Sequence, residues 1–176
     1  MDTLEKDSLA SHRRIFRLLS VLTGRPLAAG EALSSLPSRI PVGPRGERIA
    51  VHAAREMDSG RLSLVPQEIS NRIYGLAHEL RETWILSDVM GYTDRHAAIA
   101  LDCSRTVVKN RLESVRTYIQ PGDVEAIRAC MSGLGLPDEF VRAIRDREKA
   151  RKGIWLLGGM AVGVISLDLL RIWCSS

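Results

Sequence analysis

The sequence predicts an all-α protein. Apolar residues recur at helical spacing along most of the chain, and no stretch alternates apolar and polar with the period of two that a half-buried strand needs. Ala, Leu, Arg and Glu, all good helix formers, dominate, while aromatic residues make up only 5%. An apolar content of 45% in 176 residues is enough for a packed core, and the length suits one ordinary domain or two small ones.

Taken in order, LASHRRIFRLLSVLTG (9–24) sets Ile15, Leu18, Leu19 and Leu22 on one face and stops at Gly24, with Pro26 just beyond. A short helix over Leu27–Leu36 follows. The stretch SLPSRIPVGPRGE, with Pro37, Pro41 and Pro44, predicts a loop, because each proline removes a donor and fixes φ. Arg48–Asp58 is helical again, and SGRLSLVP (59–66) reads as a linker. From Gln67 to Ile119 the helical signal is strongest. Leu76, Leu80, Trp84, Ile85 and Val89 share a face, Gly91 ends that helix, and Thr93 or Asp94 caps the next. Pro121-Gly122-Asp123 closes the segment, and helices over Val124–Ser132 and Glu139–Lys152 flank GLGLPD. The organisation expected is therefore one small helical domain at 9–58, a second at 67–120, a basic helical segment at 123–152 and an apolar helix at 154–173.

The net charge of +4 is too small to identify a partner; its placement matters more. Cys103, Cys130 and Cys174 are odd in number and lack metal-ligand spacing, which points to a reduced compartment without a disulfide framework. The first residues, MDTLEKDSLASHRR, put no apolar run behind their charges, so no secretory signal is expected there.

The stretch DRHAAIALDCSRTVVKNRL (94–112) has the pattern of a helix-turn-helix. Ala98 is small where two helices cross. Asp102 stands at the turn position that needs a left-handed backbone, which Asp tolerates better than most residues. Ser104 is a good N-cap. Val108, Leu112 and Val115 face inward, leaving Arg105, Thr106, Lys109, Asn110 and Arg116 outward. Arg105–Arg116 carries four basic residues against one acidic one. A recognition helix needs this arrangement: its N-terminal side chains reach base edges and its basic residues hold phosphates. A helical hairpin with a solvated basic face is the plainer alternative.

A wider pattern is present. Arg81-Glu82-Thr83-Trp84-Ile85-Leu86, Gly91-Tyr92-Thr93, Ala98 and Val108-Lys109-Asn110-Arg111-Leu112 resemble region 4 of the bacterial extracytoplasmic-function sigma factors over about fifty residues. Ala97, Val107 and Asn110 replace the Ile, Thr and Ser usual in that family, and Leu76-Ala77 replaces Leu-Pro. Ile15-Phe16-Arg17-Leu18, Leu22-Thr23-Gly24 and Ile49-Ala50 with His52 are similar to parts of sigma region 2. There the acidic cluster is reduced to Ala29-Gly30-Glu31, and the promoter-melting segment is short and filled with prolines. No aromatic residue lies between Pro37 and Ala54, although trapping flipped bases needs stacking surfaces. The resemblance implies duplex promoter DNA and core RNA polymerase as partners, with an anti-sigma factor as a further one. It implies base-proximal roles for Arg105, Thr106, Lys109 and Asn110 and phosphate contacts for Arg111 and Arg116. Arg111 has the alternative of facing the core or an internal ion pair. The alternative function is a sigma-fold interaction module that does not open DNA.

Ile154–Leu167 carries no charge, and apolar character continues to Trp173, which just reaches the ~20 residues of a spanning helix. Trp155 and Trp173 stand at its ends as interfacial aromatics do, and Gly159 and Gly163 have the spacing of a packing face. The preceding RAIRDREKARKG is strongly basic, so this end is expected to stay cytoplasmic. The expectation is a single-pass anchor in a bacterial inner membrane; the alternative is a terminal helix of a soluble protein. No phosphate loop, metal spacing or nucleophile–base grouping is visible, so neither enzyme activity nor a cofactor or metal is expected. On this reading the full-length chain stays in the membrane pellet after alkaline carbonate extraction, whereas release into the supernatant would remove the anchor.

Overall fold

The computed structural model describes residues 3–36, 40–57, 60–147 and 149–150. They are all-α, with no strand among the described residues. Residues 1–137 belong to one compact unit and residues 138–176 to another. The first unit contains α1 (Thr3–Thr23), α2 (Pro26–Ser35), α3 (Pro44–Arg55), α4 (Gln67–Tyr74), α5 (His78–Trp84), α6 (Asp94–Leu101), α7 (Arg105–Arg116) and α8 (Pro121–Gly133). In the second unit residues 138–147 are helical, with Arg142, Arg145 and Arg147 exposed. No helix among the described residues is long and apolar enough to cross a membrane. The apolar segment 154–173 lies outside the described residues, as does Cys174.

α1 is the centre of the N-terminal half. Ile15, Leu18, Leu19 and Val21 are fully buried, and α1 packs on α2, α3 and α8. Trp84, Ile85 and Leu86 are all fully buried, where α5 packs on α7 and the turn that follows it packs on α8. The 59–66 segment does not run free between these cores. Gly60 N–H donates to the Thr23 carbonyl at 2.6 Å, and Leu62 and Val65 are buried. Gly24 sits at φ +70°, and a Cβ there would come within 2.8 Å of the Gly60 carbonyl oxygen, so the close approach needs glycine. Tyr74 Oη donates to the Val21 carbonyl at 2.6 Å, satisfying another orphan acceptor at the end of α1.

Two prolines start helices that the sequence reading placed later. The predicted loop runs only to Gly43: Pro44 occupies the first turn of α3, where its missing N–H costs nothing. Likewise α8 starts at Pro121 rather than Val124. Asp123 Oδ2 accepts from Gln120 N–H at 2.9 Å as half of a reciprocal cap. The continuous helix expected from Leu76 to Val89 changes character after Trp84. Met90 N–H donates to the Ile85 carbonyl five residues back at 2.9 Å, a widened π turn over Ile85–Val89. Arg128 donates from Nε to the Val89 carbonyl at 2.9 Å and from Nη2 to the Asp88 carbonyl at 2.6 Å, occupying acceptors at the end of that turn.

Arginine–carboxylate pairs join distant helices. Arg55 of α3 reaches Glu82 of α5 through two parallel bonds of 2.9 and 2.6 Å. Arg72 of α4 meets Asp123 of α8 at 2.6 Å, and Arg14 of α1 lies 2.8 Å from Glu47 of α3. All three carboxylates are buried. Burial alone would raise the Asp123 carboxyl; the Arg72 bond and the Gln120 amide outweigh it and hold the group below its usual value.

That lowered value sets a pH dependence. A carboxyl with a lower pKa in the folded state stabilises fully above its unfolded value of about 4, and the contribution fades as pH falls through the folded value. Asp123→Asn is therefore less stable than wild type at pH 7, and the gap closes as urea-unfolding series are carried from pH 5 towards pH 2. A gap that stays constant with pH would assign the loss to packing instead.

Candidate nucleic-acid interface

The helix pair forms as its local chemistry dictates. Thr93 Oγ1 accepts from His96 N–H at 3.3 Å, so Thr93 rather than Asp94 caps α6. Asp102 ends α6 at φ 55°, ψ 47°, the one non-glycine residue with positive φ among those described. Cys103 N–H donates back to the Ala98 carbonyl at 3.0 Å, closing the turn. Ser104 Oγ then accepts from Val107 N–H at 3.3 Å and starts α7.

Val108, Leu112 and Val115 are buried beneath α7, and Ala97, Ala98, Ala100 and Leu101 are buried on α6. That packing turns the opposite face of α7 outward. Arg105, Thr106, Lys109 and Asn110 are all exposed, at i, i+1, i+4 and i+5, and form one surface. Arg105, Thr106 and Lys109 also line a cleft of about 460 Å³ with Thr93, Asp94 and Arg95 from the start of α6. The other two predicted contacts are placed differently. Arg111 is half-buried beside the turn, and its charge acts on the Cys103 thiol. Arg116 is exposed at the far end of α7 and already pairs with Asp88 at 3.3 Å. The geometry therefore brings four of the six together on one face, with Arg111 turned towards the buried side of α7 and Arg116 at the margin of the face.

Two cations that sequence reasoning did not single out join this surface. Arg48, from α3, pairs with Asp102 at 2.7 Å, and Arg48, Arg95 and Arg105 share a second cleft of about 680 Å³ with Asp102 and Ser104. Helical spacing from Thr93 could have found Arg95. Nothing local points to Arg48, which lies 54 residues from its partner.

Cys103 and Cys130 offer little reactivity. Burial pushes the Cys103 thiol above its usual value, only partly opposed by Arg111 and Arg55, and burial does the same for Cys130. No group of three His, Cys, Asp or Glu residues that could hold a metal occurs among the described residues. What the surface offers is exposed donors and positive charge on a fixed helix, which suits binding an extended polyanion.

In comparisons with known proteins, the chain matches no family model, no curated protein and no solved structure.

The turn supplies its own test. Asp102→Gly removes the left-handed strain of about 1 kcal/mol and loses an exposed ion pair of about 0–1 kcal/mol. Its stability in urea is expected to equal or slightly exceed wild type. Asp102→Val, a β-branched residue in the same conformation, is expected to lose more than 1 kcal/mol. A Gly variant less stable than the Val variant would contradict the turn geometry.

Proposed function

We propose that this chain is a sigma-like transcription factor that reads duplex promoter DNA through α6 and α7 and recruits core RNA polymerase. The observation that carries the reading is the outward face of α7, where Arg105, Thr106, Lys109 and Asn110 stand exposed over a buried Val108–Leu112–Val115 stripe. Arg105 and Thr106 open the helix, where side chains reach base edges in a major groove; Lys109 and the neighbouring Arg95 suit phosphates. The protein acts by binding rather than by catalysis. Residues 154–173 tether it to the inner face of a bacterial membrane, so that the basic segment before them lies on the cytoplasmic side with the DNA. An anti-sigma factor is a further partner on this reading.

One observation favours a second reading, in which the sigma-like fold is an interaction module that does not open DNA. α3, which belongs to the half that would melt the promoter, uses Glu47, Arg48 and Arg55 in ion pairs to α1, the helix-pair turn and α5. A run-off transcription assay with core polymerase separates the two, since specific initiation excludes a module that cannot open DNA.

Binding to duplex promoter fragments, followed by fluorescence anisotropy across a salt series, is expected to show a linear fall of log affinity with log salt. Lys109→Ala reduces the slope by about 1 and Arg105→Ala relaxes the sequence preference at a cost of about 1–3 kcal/mol, while Arg116→Ala changes the slope less because Asp88 already neutralises that side chain. A wild-type slope in Lys109→Ala together with an unchanged sequence preference in Arg105→Ala would remove α7 as the reading helix.

A further inference from the structure

A cleft of about 500 Å³ lies away from the α6–α7 surface, between α1, the end of the π turn and α8. Arg13, Arg14, Arg17 and Arg128 line it, together with Val89, Met90 and Met131; no acidic side chain among the described residues does so. Among the described residues only part of this charge is answered by carboxylates: Arg14 lies against the buried Glu47, and no ion pair among them reaches Arg13, Arg17 or Arg128. Arg13 and Arg17 sit at i,i+4 on α1, where like charges repel.

Two of the arginines are held in place. Arg17 donates from Nε to the Leu134 carbonyl at 2.9 Å and from Nη2 to the Ser132 carbonyl at 2.9 Å. Arg128 is fixed in the same way on the Val89 and Asp88 carbonyls. Carbonyl acceptors orient these guanidinium groups without cancelling their charge, and each keeps the N–H donors of its second terminal nitrogen for another partner. Beside them Val89 is buried and Met90 and Met131 are half-buried, an apolar and adaptable floor.

We propose that this cleft binds one small organic anion, a carboxylate or phosphate head on a short apolar body. The head meets Arg13, Arg17 and Arg128, and the body lies on Met90 and Met131. The volume falls in the range of small-ligand sites, roughly 300–1,000 Å³. Along α1 the cleft runs from Ala10 to Arg17, about 10 Å at 1.5 Å per residue. That length takes a head and a chain of about six carbons. It takes only about three residues of an extended peptide, at ~3.3 Å each, too few for a protein segment to gain much affinity.

The test is calorimetric titration of the full-length chain in phosphatidylcholine nanodiscs, with empty nanodiscs as the blank. The probes are hexyl phosphate, heptanoate, inorganic phosphate and 1-hexanol. One amphiphile per chain is expected to bind, at least tenfold more tightly than either inorganic phosphate or hexanol, and the tighter of the two amphiphiles identifies the head group. Arg13→Glu, at an exposed position, is expected to weaken that binding at least tenfold without altering the thermal melt, and Met131→Asp to weaken it as well. Equal binding of hexanol and the anions, or wild-type binding by Arg13→Glu, overturns the proposal. So does an acidic nonapeptide that binds tenfold more tightly than both amphiphiles, which would make the cleft a protein-docking site.

Discussion

The structure turns on α3 and on one carboxylate in particular. Glu47 is completely buried, and its cationic partner is Arg14 on α1, a close charge contact at 2.8 Å rather than an aligned hydrogen bond. A carboxylate removed from water without a cation is penalised by several kcal/mol, so α3 is held where Arg14 can reach it. Tyr92, in the loop before α6, belongs to the same cluster. Burial first, and Glu47 second, raise its hydroxyl above the usual phenol value. One buried group thus joins α1 to α3, and the hydroxyl of Tyr92, at the entrance to the helix pair, feels its charge.

The neighbours of Glu47 extend that constraint. Arg48 reaches the turn between α6 and α7, and Arg55 reaches the buried Glu82 on α5. The buried Arg55–Glu82 pair is worth little as net stability, because desolvation offsets most of the attraction, but breaking it leaves an unpaired buried charge and so enforces a single arrangement, whereas the exposed Arg48–Asp102 pair adds little. Here the arrangement enforced is the position of the helix pair on the N-terminal half. α3 packs directly on α6, and the α1–α4 connection is closed by Gly24, Gly60 and Tyr74, so residues 1–137 behave as one unit. Held this way, α7 presents its polar face with little conformational freedom to lose if that face meets a partner.

Much of the α6–α7 geometry was legible because it is local. Ser104 caps α7, Asp102 takes the left-handed turn and Val108, Leu112 and Val115 face inward, each decided within a few residues. Other features were misread because one residue type serves two purposes. Pro44 and Pro121 look like breakers, yet they open helices when the preceding turn delivers the chain in the right direction. The π turn at Ile85–Val89 leaves the apolar pattern nearly unchanged, so periodicity alone gives a continuous helix.

By itself, then, the sequence determined the helical class, the inward stripe of α7 and its exposed basic face, since these follow from a 3.6-residue period and from capping chemistry. Only the tertiary structure decided which charges are already answered. Arg105 and Lys109 remain open to solvent, whereas Arg116 meets Asp88 and Arg48 meets Asp102. Arg72 and Asp123 are 51 residues apart and Arg55 and Glu82 are 27 apart. An arginine on one helix carries no mark of the carboxylate that packing will bring to it. Such pairing depends on distances across the fold, and those exist only once the helices have docked.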